Sequence, residues 1–346
     1  LLKERNSPCS SPLIPSLLSS SSSSSQNDKQ HKKNSGKFLK PGDEIAISEL
    51  EHHANIVPWQ LVAARTGAVI RVVPLTADRA QIDVDALSKI LKEGRVKVVA
   101  LAHVSNVLGC VLPAAAVAEM CRSAGARLLL DCCQTLPTAP CDVRALGADW
   151  IVASAHKACG PTGIGLLWGS EEVLEAMPPF LGGGEMIDTV TLLESTFAPP
   201  PARFEAGTPA IAEAIGFGAA VDYLEGIGGM LAVARAEEEL GAQLHEGLAR
   251  IEGVRVYGPA FSSLTHRAAL ASFNVEGLHA TDVSTLLDHA GVAVRSGHHC
   301  AQPLHSVLGC SASARASPYF YNSSGDIEAF LEELRGAIKF FRDAGL

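Results

Sequence analysis

The stretch Arg127-Leu128-Leu129-Leu130-Asp131 decides the fold. Three consecutive leucines closed by an acid read as a short strand covered on both faces, with its carboxylate at the carboxyl end. Working outward, Glu44–Ser48, 68–74, 96–102, 150–154 and 164–168 read as further strands. Helical spacing recurs between them at 55–66, 84–91 with Asp83 as cap, and 113–124 opening on proline. Strands alternating with helices of this length predict an α/β fold, a largely parallel sheet with helices on both faces. In such sheets ligands gather outside the carboxyl ends of the strands. Asp131, His103 to Asn106, and His156-Lys157 all fall at such ends.

The rest of the chain predicts a smaller α/β unit. Residues 182–209, rich in Gly and Pro, read as extended loops. Long helical patterns cover 209–227 and 230–251, the second expected to join two units. Strands at 254–257 and 270–274, a helix at 281–290, a short buried strand at 290–294 and a final helix at 326–341 follow. The expected organisation is 1–36 disordered, 37–228 a large domain and 229–346 a small C-terminal domain. Residues 1–36 differ from everything after them: the run from Ser19 to Ser25 lies among prolines and polar residues. Such a composition buries too little apolar surface to order itself. An organelle transit segment is also Ser-rich and poor in acidic residues, so a linker and a transit segment both remain open.

Composition narrows the class. The 346 residues carry 47% hydrophobic side chains, enough for a sizeable core, and a net charge of −9. That charge argues against nucleic acid as the main partner. No uninterrupted apolar run reaches the roughly 20 residues of a membrane-spanning helix, so no membrane partner is expected. Nine irregularly spaced cysteines do not form a disulfide framework in a chain this long, which favours a reducing compartment.

The chemistry-bearing residues form two groups. Asp131 closes an apolar strand, and such an acid needs a cationic partner to offset its desolvation. Lys157, one strand later, sits in a loop of small residues and glycines, Ser154-Ala155-His156-Lys157-Ala158-Cys159-Gly160. A Schiff-base cofactor such as pyridoxal phosphate (PLP) needs such a lysine, and an acid for its ring nitrogen. A plain ion pair at the sheet edge fits the same two residues. The second group is Arg295-Ser296-Gly297-His298-His299-Cys300-Ala301-Gln302-Pro303. A cysteine beside two imidazoles and an arginine sits where its thiolate is favoured, as a nucleophile requires. An inert buried thiol or a metal corner are the competing readings.

Four motifs in order resemble those of the group II (SUF-type) cysteine desulfurases, class V aminotransferase family members with the PLP-dependent transferase fold type I. They are Asp131-x-x-Gln134, Ser154-x-His156-Lys157, Phe204-Glu205-Ala206-Gly207-Thr208-Pro209 and Arg295 through Ala301. Glu51-His52-His53 and His103-Val104-Ser105-Asn106 add two more, and the likeness runs from about Gly36 to the C-terminus. The resemblance implies that Lys157 carries PLP as a Schiff base. Asp131 would pair with the ring nitrogen, Gln134 would bond the phenolic oxygen, and His52 would stack on the ring. Ser154 and His156 would hold the phosphate, and Thr208 would reach that of the neighbouring subunit in a homodimer. Asn106 and Arg315 would bind the carboxylate of L-cysteine, with Arg295 close by. Cys300 would take the sulfur as a persulfide, leaving alanine, and pass it to a SufE-like acceptor for iron–sulfur cluster assembly.

The resemblance also implies a plastid for a serine-rich leader, with the cytoplasm as the alternative. The family's usual phosphate-binding segment before the strand at Glu44 is replaced here by the serine-rich stretch. A truncated enzyme with weak PLP retention and low activity is therefore expected. A selenocysteine lyase or another class V PLP enzyme would share Asp131 and Lys157 without needing Cys300. A non-catalytic metal- or partner-binding scaffold is the remaining alternative.

Overall fold

The structure, a computed structural model, describes residues 38–263 and 265–345. The expected disorder of 1–36 lies outside the described residues. The first strand, β1 (Glu44–Ser48), is followed by a 3-10 turn (His53–Asn55) and α1 (Val57–Thr66). β2 (Val69–Val73) and α2 (Val84–Lys92) come next, with the Asp83 carboxylate accepting from the Ala86 amide at 2.9 Å, a helix cap legible in sequence. Then come β3 (Val96–Ala102), α3 (Ala114–Ala124), β4 (Arg127–Asp131), α4 (Val143–Leu146), β5 (Trp150–Ser154), β6 (Gly165–Gly169) and α5 (Glu171–Ala176). Among the described residues these strands make a six-stranded sheet in the order β2-β1-β3-β4-β5-β6. All neighbours run parallel except β6, which is antiparallel to β5.

Side-chain alternation explains why β3 is apolar from Val98 onward. In β3, Val99 and Leu101 enter one core with Leu87, Ile90 and Leu91 of α2 and Val117 of α3. Val98 and Ala100 point to the other face, where Ile45, Ile47 and Ile56 cluster and Trp59 and Val62 of α1 pack at the edge. A strand covered on both faces cannot alternate with polar residues. The second face is more thinly covered: α1 buries none of its own residues, and Leu129 of β4 is only half-buried.

The segment read as extended loops contains a hairpin, β7 (Ile187–Val190) paired antiparallel with β8 (Ser195–Phe197). The β-branched residues Ile187, Thr189, Val190 and Thr196 supply strand propensity that its Gly and Pro content masked. The Thr191 amide donates to the Glu194 carbonyl at 2.8 Å to close the turn.

Two long helices follow, α6 (Ile211–Gly226) and α7 (Gly229–Ala249), separated at Gly228, whose φ of 110° only glycine adopts readily. Beyond them are β9 (Val254–Val256), β10 (Ala271–Val275), α8 (Ala280–His289), β11 (Arg295–Gly297), α9 (Gln302–Leu308), β12 (Ser313–Ala316) and α10 (Ser324–Asp343). The strands form an antiparallel sheet, β11-β12-β10-β9, over a second core that includes Leu244, Phe273, Leu287, Ala314 and Phe330.

One sequence expectation is corrected here. The apolar run 290–294 is not a strand: Val292 and Val294 lean half-buried on the second core, and pairing starts only at Arg295. The residues after Cys300 form α9, with Pro303 in its first turn, where a proline costs no hydrogen bond. Ala301, Leu304 and Leu308 from this late segment pack in the first core, with Leu101 and Leu130. The chain after residue 229 therefore contributes to both cores, and the loop carrying Cys300 is anchored in the large one.

Candidate active site

The carboxyl ends of β3, β4 and β5 present the first group of residues. Asp131 ends β4 half-buried, and one carboxylate oxygen accepts from the Cys133 amide at 2.9 Å, which orients the group. Lys157 closes the 3-10 turn Ala155–Lys157 that follows β5, and it too is half-buried. That turn is tight because the Gly160 amide returns to the Ala155 carbonyl at 3.0 Å. A Cβ at Gly160 would stand 2.9 Å from the same carbonyl oxygen and 2.8 Å from Phe217, so no larger residue closes this loop without a shift.

His52 faces the same region. Its Nδ1 accepts from the Ala54 amide at 3.0 Å, which places the ring proton of the neutral form on Nε2. Burial first, and then the Lys157 cation, lower its pKa, while Asp131 pulls the other way. A carboxylate, an amine and a neutral imidazole thus influence one another at the sheet's carboxyl edge. Ser154 lies alongside, its Oγ 3.5 Å from the Cys133 sulfur. Gln134 is half-buried in the turn after β4 and His156 is exposed beside Lys157. Thr208 is exposed on the loop after Phe204, and among the described residues no hydrogen bond joins it to this cluster.

The second group is built on β11 and β12. Cys300 and the preceding His299 both have left-handed backbones, with φ of 56° and 52°. Such residues cost roughly 1–2 kcal/mol each and persist only where surroundings hold them. Here the large unit holds them. The Asn106 side-chain amide donates to the His299 carbonyl at 2.8 Å, and the His53 amide donates to the Cys300 carbonyl at 2.7 Å. The Arg295 guanidinium reaches the Cys300 sulfur at 3.7 Å. Arg315, opposite Arg295 in the β11–β12 pair, donates to the Asn106 carbonyl at 2.8 Å. Burial first, then Arg295, brings the Arg315 guanidinium down to about 10. Two arginines opposite each other, Arg295 exposed and Arg315 half-buried, call for an anion. Asn106, Arg295, Arg315 and Cys300 are therefore brought together.

The expectation that His299 lends positive charge to the thiolate does not hold. His299 is buried, its Nε2 pairs with the Ser313 hydroxyl at 3.0 Å, and its Nδ1 is buried without a hydrogen-bond partner. Burial first, then Arg315, pushes it down to about 3, so it is neutral at physiological pH. The cation beside the sulfur is Arg295. His298 is exposed, its ring edge-on to that of His305. Cys159 is exposed with a φ of 58°.

Sequence reading missed three contributors. Glu51 is fully buried, accepts from Ser48 Oγ at 2.5 Å and from Asn55 Nδ2 at 2.7 Å, and is pushed up to about 7 by burial. Ser313 joins His299 and His305, each at 3.0 Å. His53 contacts the Cys300 loop directly. Their chain separation from Cys300 hid the last; an acid ahead of two histidines was the available signal.

The donor set fits PLP. Asp131 is an oriented carboxylate for a ring nitrogen, Lys157 an amine for the Schiff base, and His52 a neutral ring for stacking. Ser154 and His156 offer a hydroxyl and an imidazole at the end of β5 for a phosphate.

Comparison with known proteins agrees with this site. The aminotransferase class-V family matches residues 21–330. A probable cysteine desulfurase of Synechocystis is 53% identical over 305 residues, 88% of this chain and 72% of that protein. The solved cysteine desulfurase CsdA of Escherichia coli superposes with a TM-score of 0.81 at 38% identity, covering 87% of this chain and 73% of CsdA. A C-DES variant solved with glycine covalently linked to its PLP cofactor has a TM-score of 0.75 at 26% identity, covering 86% of this chain and 75% of that one. The fold is that of the PLP-dependent transferases of type I, and PLP is the cofactor it serves. With a donor set suited to PLP and a nucleophile loop beside two facing arginines, the chain belongs to the class-V aminotransferase family and groups within it with the cysteine desulfurases.

Proposed function

We propose that this chain is a PLP-dependent cysteine desulfurase that converts L-cysteine to L-alanine with a persulfide on Cys300. The observation that carries it is the Cys300 sulfur lying 3.7 Å from the Arg295 guanidinium on a left-handed turn tied to Asn106. Bound PLP withdraws electrons from the substrate α-carbon, the one chemistry the side chains cannot supply. Lys157 would hold the cofactor and take the α-proton. Asp131 would keep a proton on the ring nitrogen, Gln134 would bond the phenolic oxygen, His52 would lie against the ring, and Ser154 and His156 would bind the phosphate. Arg315 and Arg295 bind the substrate carboxylate, with Asn106 beside them. The Cys300 thiolate attacks the substrate sulfur. The Cβ–S bond breaks, its electron pair stays with the carbon fragment that is protonated to alanine, and a new S–S bond leaves Cys300 as a persulfide.

The test is alanine release from L-cysteine, with a mass increase of one sulfur on Cys300. Cys300→Ala should abolish both, and Lys157→Ala should also abolish the PLP absorbance. No alanine from the PLP-loaded protein would overturn the reading. Cleavage of selenocysteine that survives Cys300→Ala would redirect it to a selenocysteine lyase.

The finer reading has four parts. The chain acts as a homodimer: exposed Phe180, Leu181, Leu192 and Leu193, around and on the β7–β8 hairpin, are costly to leave in water, and Thr208 is free to meet a second copy's phosphate. Light scattering at twice the chain mass supports this, and a monomer counts against it. A SufE-like protein takes the sulfur, because Cys300 is only half-buried beside exposed His298. Persulfide transfer to such a protein tests it. The persulfide serves iron–sulfur cluster assembly, read out by cluster formation on an apo acceptor. The compartment is the plastid, resting on the serine-rich composition of 1–36; import of a fusion carrying this segment is expected, and cytoplasmic retention would exclude it.

A further inference from the structure

His53 stands at the contact between the large unit and the Cys300 loop. Its backbone amide donates to the Cys300 carbonyl at 2.7 Å, and its Nε2 lies 3.0 Å from the Gln302 amide. The second contact fixes the ring's state. An amide N–H can only donate, so Nε2 must accept, and the ring proton sits on Nδ1. Gln302 is the first residue of α9, where an amide has no carbonyl partner within the helix. Pro303 behind it has no amide at all, and the Ala301 amide is already spent on the His298 carbonyl at 2.8 Å. The imidazole therefore satisfies the Gln302 amide at the helix start.

The geometry of Cys300 makes this closure matter. His299 and Cys300 are consecutive left-handed residues without glycine, a conformation their own backbone resists. Three bonds from outside the loop oppose that resistance: Asn106 to the His299 carbonyl, the His53 amide to the Cys300 carbonyl, and Gln302 to the His53 ring. They bracket Cys300 on both sides in sequence. Two of the three belong to His53, and only one of those depends on its side chain. His53 is itself fixed from below, because Glu51 accepts from Asn55, which ends the same 3-10 turn, and Asn55 accepts from Trp59 at 3.1 Å.

We propose that His53 is a positioning residue for the nucleophile: its neutral imidazole, accepting from Gln302, holds the left-handed turn that aims the Cys300 sulfur. The inference rests on the reading of Cys300 as the sulfur-accepting thiol, and the contacts of His53 that carry it are with the loop of that thiol. The side-chain bond can be removed without disturbing the backbone one. His53→Leu fills the space but accepts nothing, whereas His53→Gln can place Oε1 near the position of Nε2 and accept from the same amide.

Two measurements test it. In the first, cofactor-free protein is alkylated with iodoacetamide and the rate at Cys300 is followed by peptide mass, with exposed Cys159 as internal reference. His53→Leu should change the Cys300 rate roughly threefold to tenfold, the scale of one net hydrogen bond, and leave Cys159 unchanged; His53→Gln should restore it. In the second, the PLP-loaded enzyme is assayed with L-cysteine. His53→Leu should lower kcat by a similar factor with KM unchanged, and His53→Gln should recover most of it. Equal rates at Cys300 in wild type and His53→Leu would overturn the proposal, as would a parallel change at Cys159. If no variant and no wild-type sample forms alanine, the desulfurase reading fails, and the alkylation result still decides whether His53 holds the turn.

Discussion

Arg295 and Arg315 stand directly opposite each other on β11 and β12, with the Cys300 sulfur reached by the first and the Asn106 carbonyl by the second. Like charges facing across an antiparallel pair are unfavourable unless something negative lies between or beside them. The carboxylate of an amino-acid substrate and a sulfur anion are the two negative groups the proposed reaction brings here.

Arg315→Lys should therefore weaken substrate capture more than it slows turnover. Lysine keeps the charge but loses the planar fork and its bond to Asn106. KM for L-cysteine should rise roughly tenfold to a hundredfold, the scale of one charge-assisted hydrogen bond of about 1.5–3 kcal/mol. Steady-state kinetics check it, and an unchanged KM would remove Arg315 from the carboxylate site.

Glu51 makes stability fall as pH rises. Burial lifts its folded pKa from 4.5 to about 7, so between those values only the native state holds the proton. The loss runs through that window at up to about 1.4 kcal/mol per pH unit and levels off above pH 7. Glu51→Gln removes the ionisation, so its stability relative to wild type should climb by about 2.4 kcal/mol between pH 5 and 7.5. Urea unfolding at both pH values measures the difference.

His299 works in the opposite direction. Its folded pKa is pushed down to about 3, below the ordinary value of 6.5. Between them only the unfolded state is protonated, so this contribution is present above pH 6.5 and is lost as pH falls, at up to about 1.4 kcal/mol per unit. His299→Asn should flatten the acid side of the stability profile relative to wild type. An identical acid slope in the two proteins would show that His299 charges without unfolding.

Gly258 sits where the two units meet, with a φ of 93°, and a Cβ there would drive into the Leu108 carbonyl oxygen. That neighbour is backbone and cannot rotate away. Gly258→Ala should destabilise the protein by about 2–4 kcal/mol, combining left-handed strain with overpacking. Thermal unfolding of the variant against Gly277→Ala separates the two causes, since Gly277 has a similar φ of 78° with nothing near its Cβ.

The large sheet and the positions of Asp131 and Lys157 at its edge are legible in the chain alone. Val96–Ala102 and Arg127–Asp131 are apolar except at Lys97, Arg127 and the closing acid, because both faces are covered, and that pattern survives in one dimension. Asp131 and Lys157 follow their strands directly, so their place at the sheet's carboxyl edge was legible from chain order alone. The β7–β8 hairpin and the start of β11 were not, because short strands are specified by their pairing partners rather than by local composition. The presentation of Cys300 follows from long-range contacts. His53 lies 247 residues earlier in the chain (300 − 53) and Asn106 lies 194 earlier (300 − 106), so no local pattern announces their hold on its turn. Nor could sequence tell that His299 is neutral and Arg295 the charged neighbour, since burial, which sets the ionisation of an imidazole, exists only once the chain has folded.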